Sequence, residues 1–358
     1  MNWQYLQAFI HQHNLTNRPL VVALSGGADS VALLQLFCQL REQTAQSFSV
    51  VHVNHGLSAN ADDWQHFVEQ LCESLNVELQ NHCVNIQVKK RTSLEQLARQ
   101  ARYQAIAERL VPTSVLFTGH HQIDQAETFF LRLMRGSGLT GLSAMRPLSH
   151  FPLQQFKHKQ LAVARPLLNF TKSEMVSFLQ DENQDWIEDE SNLDNKFDRN
   201  YVRNKIIPAF LTRWQKAPQS IASSIELLQQ EQALLNEYVE ADYKTCEDVG
   251  FLNTPVFNID KLEQLSYAKQ AAVIRMFSQQ ITGEYPSRTC VEEVINNLLT
   301  AKADSQPKVK NGAFWFCKHQ QHLYLVEDRL FSDVQLTDIK DVAVNAVIEL
   351  PYSSVFSS

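Results

Sequence analysis

A run of small and polar residues follows an apolar stretch near the N-terminus. The stretch Leu20–Leu24 leads into Ser25-Gly26-Gly27-Ala28-Asp29-Ser30. Glycines let the backbone pass close to a ligand, and amides at a helix N-terminus bind phosphate. The lysine of a GxxxxGK[ST] loop is missing, but Asp29 offers a carboxylate that suits Mg²⁺ beside phosphates. We expect a phosphate-binding loop; the alternative is a glycine-rich turn in which Asp29 caps a helix.

Two carboxylates stand three residues apart in the stretch 118–128. This stretch reads Thr-Gly-His-His-Gln-Ile-Asp-Gln-Ala-Glu-Thr and contains Asp124 and Glu127. Residues three apart share one face of a helix, and a helix start favours negative charge. The pair is therefore expected to hold an ammonium group or a metal. Taken alone, the pattern also fits an amphipathic helix with a solvated acidic face.

An acidic turn precedes a basic helix face in the stretch 186–205. Arg199 and Arg203 are four residues apart and follow the acidic segment 188–194. The two guanidinium groups could clamp phosphates of RNA or of a nucleotide. An internal salt-bridge network is the alternative.

The strand-like run Val50–Asn54 ends at His55 and Gly56. In an open sheet this end lies beside the phosphate loop, where His55 could contact a nucleotide and Gly56 could let the chain pass closely. Alternatively, the strand ends in a polar turn, and His52 and His55 are ordinary edge residues.

Strand-like and helix-like runs alternate around these motifs. Strands are expected at Leu20–Ser25, Phe48–Asn54, Val77–Val84 and Val115–Gly119, and helices at 29–41, 62–75 and 93–110. This order predicts a doubly wound parallel sheet covered on both faces. Further along the chain we expect an apolar run at Leu161–Leu168, a capping box at Thr171–Glu174, a long helix at about Ser220–Tyr243, and strand-like runs at Ala313–Cys317 and His322–Val326.

Composition sets limits on the class of protein. The net charge is −7 over 358 residues, and it lies almost entirely in residues 217–358, so a polyanion must be held by local patches. The six cysteines are scattered without a CxxC pair, which favours a reduced, cytoplasmic location. No stretch is long and apolar enough to predict a membrane span.

Together these motifs resemble a known family. The SGGxDS loop is similar to the PP-loop of the ATP pyrophosphatases, and the runs TGHHxxDQAET and RGSGxxGL at 118–142 are similar to the signature of the bacterial tRNA(Ile)-lysidine synthetases. Segments 93–103 and 199–205 also match that family. The resemblance implies that ATP, Mg²⁺, free L-lysine and a tRNA(Ile) with a CAU anticodon are the reaction partners. It implies adenylation of the wobble cytidine, followed by attack of lysine to give lysidine, AMP and pyrophosphate.

The resemblance also assigns residues. The implied ATP-binding residues are Ser25, Gly26, Gly27, Ala28, Asp29, Ser30, His55, Gly119 and His120, with Asp29 as the metal ligand. Asp124 and Glu127 are implied to bind lysine, and Arg199, Arg203, Lys205 and Arg135 to bind tRNA. The implied catalytic residues are Asp29, Asp124, Glu127 and Arg102. Two positions depart from the family pattern: Ser58 stands where an arginine is usual, and Ile123 where the first of two aspartates is usual.

The chain is expected to divide into four parts. These are a PP-loop catalytic domain at 1–216, a helical linker at 217–245, a small α-rich substrate-binding domain at 246–328, and the start of a truncated or absent C-terminal tRNA-binding domain at 329–358. Competing functions are a tRNA thiolase of the PP-loop class, an amide-forming synthetase, and a catalytically weakened RNA-binding relative. The first usually needs reactive cysteines, and the second would lack the 118–142 signature.

Overall fold

The computed structural model describes residues 1–56, 58, 60–84, 94–190, 194–250, 254–301 and 307–328. The chain forms two compact units, Met1–Leu235 (unit 1) and Asn236–Ser358 (unit 2). The segment 329–358, for which the sequence predicts the start of a further domain, lies outside the described residues.

Strands and helices alternate through unit 1, as the sequence pattern predicts. The strands are β1 (Leu20–Ala23), β2 (Ser49–Asn54), β3 (Leu79–Cys83), β4 (Val115–Phe117), β5 (Leu148–His150) and β6 (Ala162–Ala164). The helices are α1 (Trp3–Gln12), α2 (Ala28–Thr44), α3 (Ala61–Ser74), α4 (Leu94–Arg109), α5 (Gln122–Met134), α6 (Leu139–Leu142), α7 (Lys172–Asp181), α8 (Asp198–Tyr201), α9 (Ile207–Arg213) and α10 (Ala217–Cys246). Gln154–Lys159 forms a 3₁₀ helix, and π-helical turns at Val202–Ile206 join α8 to α9.

The sheet of unit 1 has the strand order β3-β2-β1-β4-β6-β5. Neighbouring strands are parallel except β5, which runs antiparallel to β6. After β3 the chain crosses to the other side of β1 and adds β4, so the order reverses between β1 and β4. Ligands in open α/β sheets bind at such a switch point, outside the carboxyl ends of the strands. The loops after β1 and β4 carry the two principal motifs, so both lie at this point.

Helices cover both faces of this sheet. Val22 and Phe117 face a core that includes α1 and α2, whereas Val21 and Leu116 face a second core with Tyr103 of α4. Successive residues of a strand point to opposite faces, so these short apolar strands are buried on both sides. The predicted doubly wound parallel sheet is confirmed.

The capping box of α7 is also confirmed. Glu174 donates from its backbone amide to Thr171 Oγ1 at 3.2 Å, and Thr171 donates from its amide to Glu174 Oε2 at 2.8 Å. The apolar run Leu161–Leu168 contains β6, but its antiparallel neighbour β5 was not predicted. With three residues, including Ser149 and His150, β5 has no apolar periodicity to detect.

The long polar helix predicted at Ser220–Tyr243 is α10, and it contributes to both units. Its first half belongs to unit 1, where Gln229 donates to the carbonyl oxygens of Ser143 and Met145 at 2.8 and 3.0 Å. Its second half places Val239 and Tyr243 in the core of unit 2. The boundary by compactness therefore falls inside the helix, at Leu235. The four-part division of the chain stays a proposal.

Unit 2 combines helices with an antiparallel sheet of order β7-β8-β11-β10-β9. Its strands are β7 (Glu247–Val249), β8 (Pro255–Asn258), β9 (Lys308–Asn311), β10 (Phe314–His319) and β11 (His322–Glu327), and its helices are α11 (Ile259–Glu263), α12 (Tyr267–Thr282) and α13 (Arg288–Glu293), with π-helical turns at Val294–Leu299. The sequence indicated β10 and β11 only, because the other three strands are four residues long or shorter.

No helix in the described part of the chain is long and apolar enough to span a membrane. Four of the six cysteines are buried, Cys317 is half-buried and Cys83 is exposed. Burial raises the pKa of the Cys38 thiol to about 11. Most of the thiols therefore serve as small apolar groups, as predicted.

Candidate active site

The serines of the loop after β1 hold its shape. Ser25 donates from its backbone amide to Ser30 Oγ at 3.1 Å, and Ser30 Oγ donates to the carbonyl oxygen of Gly27 at 2.9 Å. Because the Ser30 hydroxyl hydrogen is used in this way, Ser25 Oγ is the donor in the 3.1 Å contact between the two hydroxyls. Buried Ser30 closes the loop, while Ser25 stays exposed at its rim.

Ile187 packs against the phosphate loop from the segment after α7. Its amide donates to the carbonyl oxygen of Gly26 at 2.9 Å, and Ile187 and Gly27 form a parallel β-bridge. Gly26 has φ +89°, and a Cβ there would lie 2.5 Å from Ile187 Cδ1. Gly26 is therefore required both by its backbone conformation and by this contact. No local sequence signal pointed to Ile187.

The N-terminus of α2 faces the same loop. Gly27 is its N-cap and provides no side-chain hydrogen bond, so no side chain caps the first turn, in which the amide of Ser30 donates to the Gly27 carbonyl oxygen at 3.0 Å. Asp29 lies in this first turn, and its Oδ1 is buried without a hydrogen-bond partner among the described residues. An unpartnered carboxylate oxygen next to a phosphate-binding helix end fits Mg²⁺, which binds one or two carboxylates together with phosphate oxygens.

Gly119 brings the end of β4 against this helix end. A Cβ at Gly119 would lie 2.6 Å from the carbonyl oxygen of Asp29 and 3.0 Å from the amide nitrogen of Ser30. Real Cβ atoms do not approach backbone atoms so closely, so only glycine permits this packing. The motif that follows β4 is thereby placed directly beside the phosphate loop.

His121 connects the two motifs. It caps α5, accepting from the amide of Ile123 at its Nδ1 (3.2 Å), so the hydrogen of the neutral ring lies on Nε2. Nε2 lies 3.4 Å from Asp29 Oδ2 and 3.7 Å from Asp124 Oδ2. Burial alone would lower the pKa of His121, but the carboxylates of Asp124 and Asp29 raise it. No sequence signal singled out His121, because its position between the two motifs depends on a tertiary contact.

Asp124 and Glu127 form a buried cluster with Arg199 and Arg203. Arg199 donates from Nε to Glu127 Oε2 at 2.6 Å and from Nη2 to Asp124 Oδ1 at 2.9 Å. Arg203 donates from Nε to Glu127 Oε1 at 2.5 Å and from Nη2 to Asp124 Oδ1 at 3.2 Å. The acidic pair and the basic pair, which the sequence suggested separately, are thus brought together. The internal network was one of the two alternatives for the arginines; their contact with tRNA stays a prediction.

Electrostatics keep Asp124 ionised. Burial would raise its pKa, but His121, Arg199 and His120 hold it well below its usual range, together with the backbone amide of His121, which donates to Oδ2 at 2.9 Å. Glu127 has no solvent-exposed surface. Two guanidinium groups around two carboxylates balance the charge of this buried cluster.

A second group of polar residues lies where β2 and β4 end. Arg102 of α4 donates from Nε to His55 Nε2 at 3.0 Å, and burial lowers the pKa of His55 to about 4. His120 is within 2.8 Å of Thr118 Oγ1 at its Nδ1, and burial lowers its pKa to about 3. These histidines are therefore uncharged at neutral pH.

The remaining predicted residues lie outside this cluster. Arg135 and Lys205 are exposed, at the end of α5 and in the turns between α8 and α9. Ile123, one of the two departures from the family pattern, packs in an apolar cluster with Val202 and Ile207. The side chain at position 123 therefore serves the packing of α5 in this chain. Among the described residues, no group of three or more His, Cys, Asp or Glu side chains forms a complete metal site.

Comparisons with known proteins agree with this geometry. Residues 2–210 match the family model described as a PP-loop domain, and residues 257–324 match the one described as the TilS substrate binding domain. The fold and the site thus define a PP-loop enzyme that uses ATP.

Relatives narrow the class further. The tRNA(Ile)-lysidine synthase of Actinobacillus pleuropneumoniae serotype 3 (strain JL03) is 37% identical over 328 residues, which cover 92% of this chain and 74% of the relative. The synthase of Haemophilus influenzae (strain PittEE) is 37% identical with 89% and 72% covered, and that of Histophilus somni (strain 129Pt) is 36% identical with 97% and 78% covered. The chain belongs to the tRNA(Ile)-lysidine synthase family. It is a ligase acting in tRNA modification, and the thiolase alternative is not favoured.

Proposed function

We propose that the chain joins free L-lysine to the wobble cytidine of a tRNA(Ile) with a CAU anticodon, at the expense of ATP. The cytosine carbonyl oxygen attacks the α-phosphorus of ATP and pyrophosphate leaves. The lysine ε-amine then attacks the ring carbon that carries this oxygen. The carbon–oxygen bond breaks, and AMP leaves with the oxygen. The amine loses a proton, and lysidine results.

The observation that carries the proposal is the position of His121 Nε2 between Asp29 and Asp124, at 3.4 and 3.7 Å. A carboxylate of the phosphate loop and a carboxylate of the acidic helix start thus lie beside the same ring nitrogen. The amine must attack the carbon whose oxygen carries AMP, so the nucleotide site and the lysine site must lie close together.

The phosphate side is assigned to the loop residues. The amides at the start of α2, with Ser25 at the rim, would bind the departing pyrophosphate. Asp29 Oδ1, buried and unpartnered, would hold Mg²⁺, which neutralises charge on the phosphates when bound. His55, Gly119 and His120 would line the nucleotide, and Arg102 would keep His55 oriented through its 3.0 Å hydrogen bond.

The lysine side is assigned to Asp124 and Glu127. Both are occupied by Arg199 and Arg203, so a lysine ammonium must displace at least one guanidinium to reach them. The displaced arginine would then contact an RNA phosphate. Because the pKa of Asp124 is held low, Asp124 orients the amine and is a poor acceptor for its proton. A lysine amine has a pKa of about 10.4 in water, so another group must take that proton.

Incorporation of labelled lysine tests the proposal. The full chain is incubated with radiolabelled lysine, ATP, Mg²⁺ and a tRNA(Ile) transcript with a CAU anticodon. We expect label in the RNA that depends on ATP and disappears when the wobble cytidine is replaced by uridine. Formation of AMP and pyrophosphate without label would mean a different nucleophile. Label in the uridine transcript would exclude the proposed base.

A cytoplasmic location is expected for such an enzyme.

A further inference from the structure

Two stretches of unit 1 contain basic residues but no acidic ones. No Asp or Glu occurs between Glu127 and Glu174, or between Asp198 and Glu226. The Lys and Arg residues in these stretches are Arg132, Arg135, Arg146, Lys157, Lys159, Arg165, Lys172, Arg199, Arg203, Lys205, Arg213 and Lys216. In a chain with a net charge of −7, such a local excess of cations marks a place where a polyanion would be attracted.

The two stretches pack against each other through α5 and α9. The ring centroids of Phe130 on α5 and Phe210 on α9 are 5.3 Å apart. Ala126 and Leu131 of α5 share an apolar cluster with Ile207 of α9. The helices that carry or precede Arg135 and Arg213 therefore pack together in unit 1.

An exposed row of aromatic rings runs through this region. The rings of Phe210 and Trp214 are in tilted contact, with centroids 5.8 Å apart and planes inclined by 36°, and Phe210 in turn contacts Phe130. Trp214 is 59% exposed and Phe210 is 37% exposed. Arg213 and Lys216, on either side of Trp214, are exposed as well. A tryptophan that served the core alone would be covered, because burying an aromatic ring is strongly favourable. Trp214 instead stays more than half exposed, between two exposed cations in the sequence.

This region is continuous with the candidate active site. The helical run 198–213 carries Arg199 and Arg203 to Asp124 and Glu127 at one end and Phe210 at the other. Arg203 and Arg213 are ten residues apart, which is about 15 Å along a helix axis. A base stacked on Trp214 would thus be a neighbour of the reacting nucleotide within one short loop of RNA.

We propose that Arg135, Phe210, Arg213 and Trp214, here called the aromatic–basic surface, bind unpaired nucleotides of the tRNA anticodon loop. One base stacks on Trp214, and the arginines contact backbone phosphates. Single-stranded loops are bound by this combination of ring stacking and cations. The inference rests on the proposed function, since that function supplies the RNA.

Photochemical crosslinking tests the contact directly. A tRNA(Ile) transcript with 5-iodouridine at the uridines of its anticodon loop is irradiated with the unmodified full chain, and the adduct is mapped by mass spectrometry. We expect the adduct on Trp214 or Phe210. Adducts confined to other residues would overturn the proposal, and this result does not depend on how any variant folds.

Binding measurements separate stacking from charge. For an isolated anticodon stem-loop, Trp214→Ala should raise Kd about tenfold, and Trp214→Phe should restore most of the affinity because a ring remains. Arg213→Gln should lower the slope of log Kd against log salt by about 0.7, the value for one contact with single-stranded phosphate. Tyr238→Ala, at a residue 68% exposed on α10, and Arg109→Gln, at an exposed residue of α4, serve as controls and should change neither quantity.

The outcomes distinguish this inference from the function on which it rests. Suppose that the wild-type chain forms lysidine but Trp214→Ala leaves Kd and the KM for tRNA unchanged. The assignment of the aromatic–basic surface to RNA binding is then wrong, and the proposed function stands. If no lysine is incorporated by the wild-type chain, the proposed function fails. If Trp214→Ala binds anionic phospholipid vesicles more weakly than the wild type but binds RNA equally well, the surface contacts a membrane. That result would overturn the proposal.

Discussion

Gly119 lies against the backbone of Asp29 so closely that a Cβ would sit 2.6 Å from the Asp29 carbonyl oxygen. The contact joins the end of β4 to the start of α2, and these two elements carry the acidic motif and the phosphate loop. Because the neighbours are backbone atoms at a helix start, they cannot rotate away as a side chain would. The spacing between the two halves of the site therefore depends on the absence of one methyl group.

Gly119→Ala should lower activity strongly, although neither glycine nor alanine has a side chain that could take part in the reaction. The added methyl must push Asp29 and His121 apart, and overpacking of this kind costs about 1–3 kcal/mol of stability. We expect a folded protein with a lower urea midpoint and at least a tenfold loss of lysine incorporation. Gly138→Ala is the matched control, since nothing lies within 4 Å of a Cβ built there and its φ is −78°. Equal activity of the two variants would show that the loop can shift freely.

Asp29→Asn keeps the shape of the side chain and removes its charge. Since Oδ1 is buried without a partner, its role is assigned to a cation, and the amide should abolish Mg²⁺-dependent formation of AMP. Calorimetric titration of Mg²⁺ with a non-hydrolysable ATP analogue provides a readout that does not require turnover. Asp63→Asn, at an exposed residue in the first turn of α3, controls for the loss of one surface charge. Unchanged Mg²⁺ dependence of analogue binding would remove Asp29 from the metal site.

A double-mutant cycle measures the pairing of Glu127 with Arg203. Both oxygens of the fully buried Glu127 accept from guanidinium groups, so Glu127→Gln and Arg203→Gln should each destabilise the fold. Groups in one buried network couple by about 0.5–3 kcal/mol, and the double variant should lose less than the sum of the single ones. The coupling should shrink at saturating lysine if lysine displaces a guanidinium. Strictly additive effects without lysine would mean that the cluster is open in solution.

Much of this arrangement follows from sequence patterns. Apolar runs with helices between them gave the parallel sheet, and the rule that ligands lie beyond the carboxyl ends of strands placed Asp29 and Asp124 at one edge. Local signals such as the capping box at Thr171 were equally reliable, since they depend on residues three apart.

Contacts between distant segments could not be predicted in this way. Arg199 binds Asp124 across 75 positions of sequence, and neither residue carries a signal for its partner. Ile187 on Gly26 and His121 beside Asp29 are likewise products of the tertiary fold. The three short strands of unit 2 were missed because each relies on hydrogen bonds to β10 or β11, or to a strand paired with them, rather than on its own pattern.

His120 should make the fold sensitive to acid. Burial lowers its pKa to about 3 in the folded chain, whereas an unfolded histidine has a pKa of about 6.5. Between these values the unfolded chain binds a proton that the folded chain does not, so stability falls as pH falls from about 6.5 toward 3 and is unaffected above that range.

His121, whose pKa is raised, contributes with the opposite sign, so the test must compare variants. Urea midpoints of His120→Gln and wild type at pH 7.5 and pH 5 (about one unit or more on either side of the free value) should show a smaller drop for the variant. His66→Gln, at an exposed residue of α3, controls for loss of a histidine, and an equal drop in His120→Gln would mean that His120 is protonated in the folded chain.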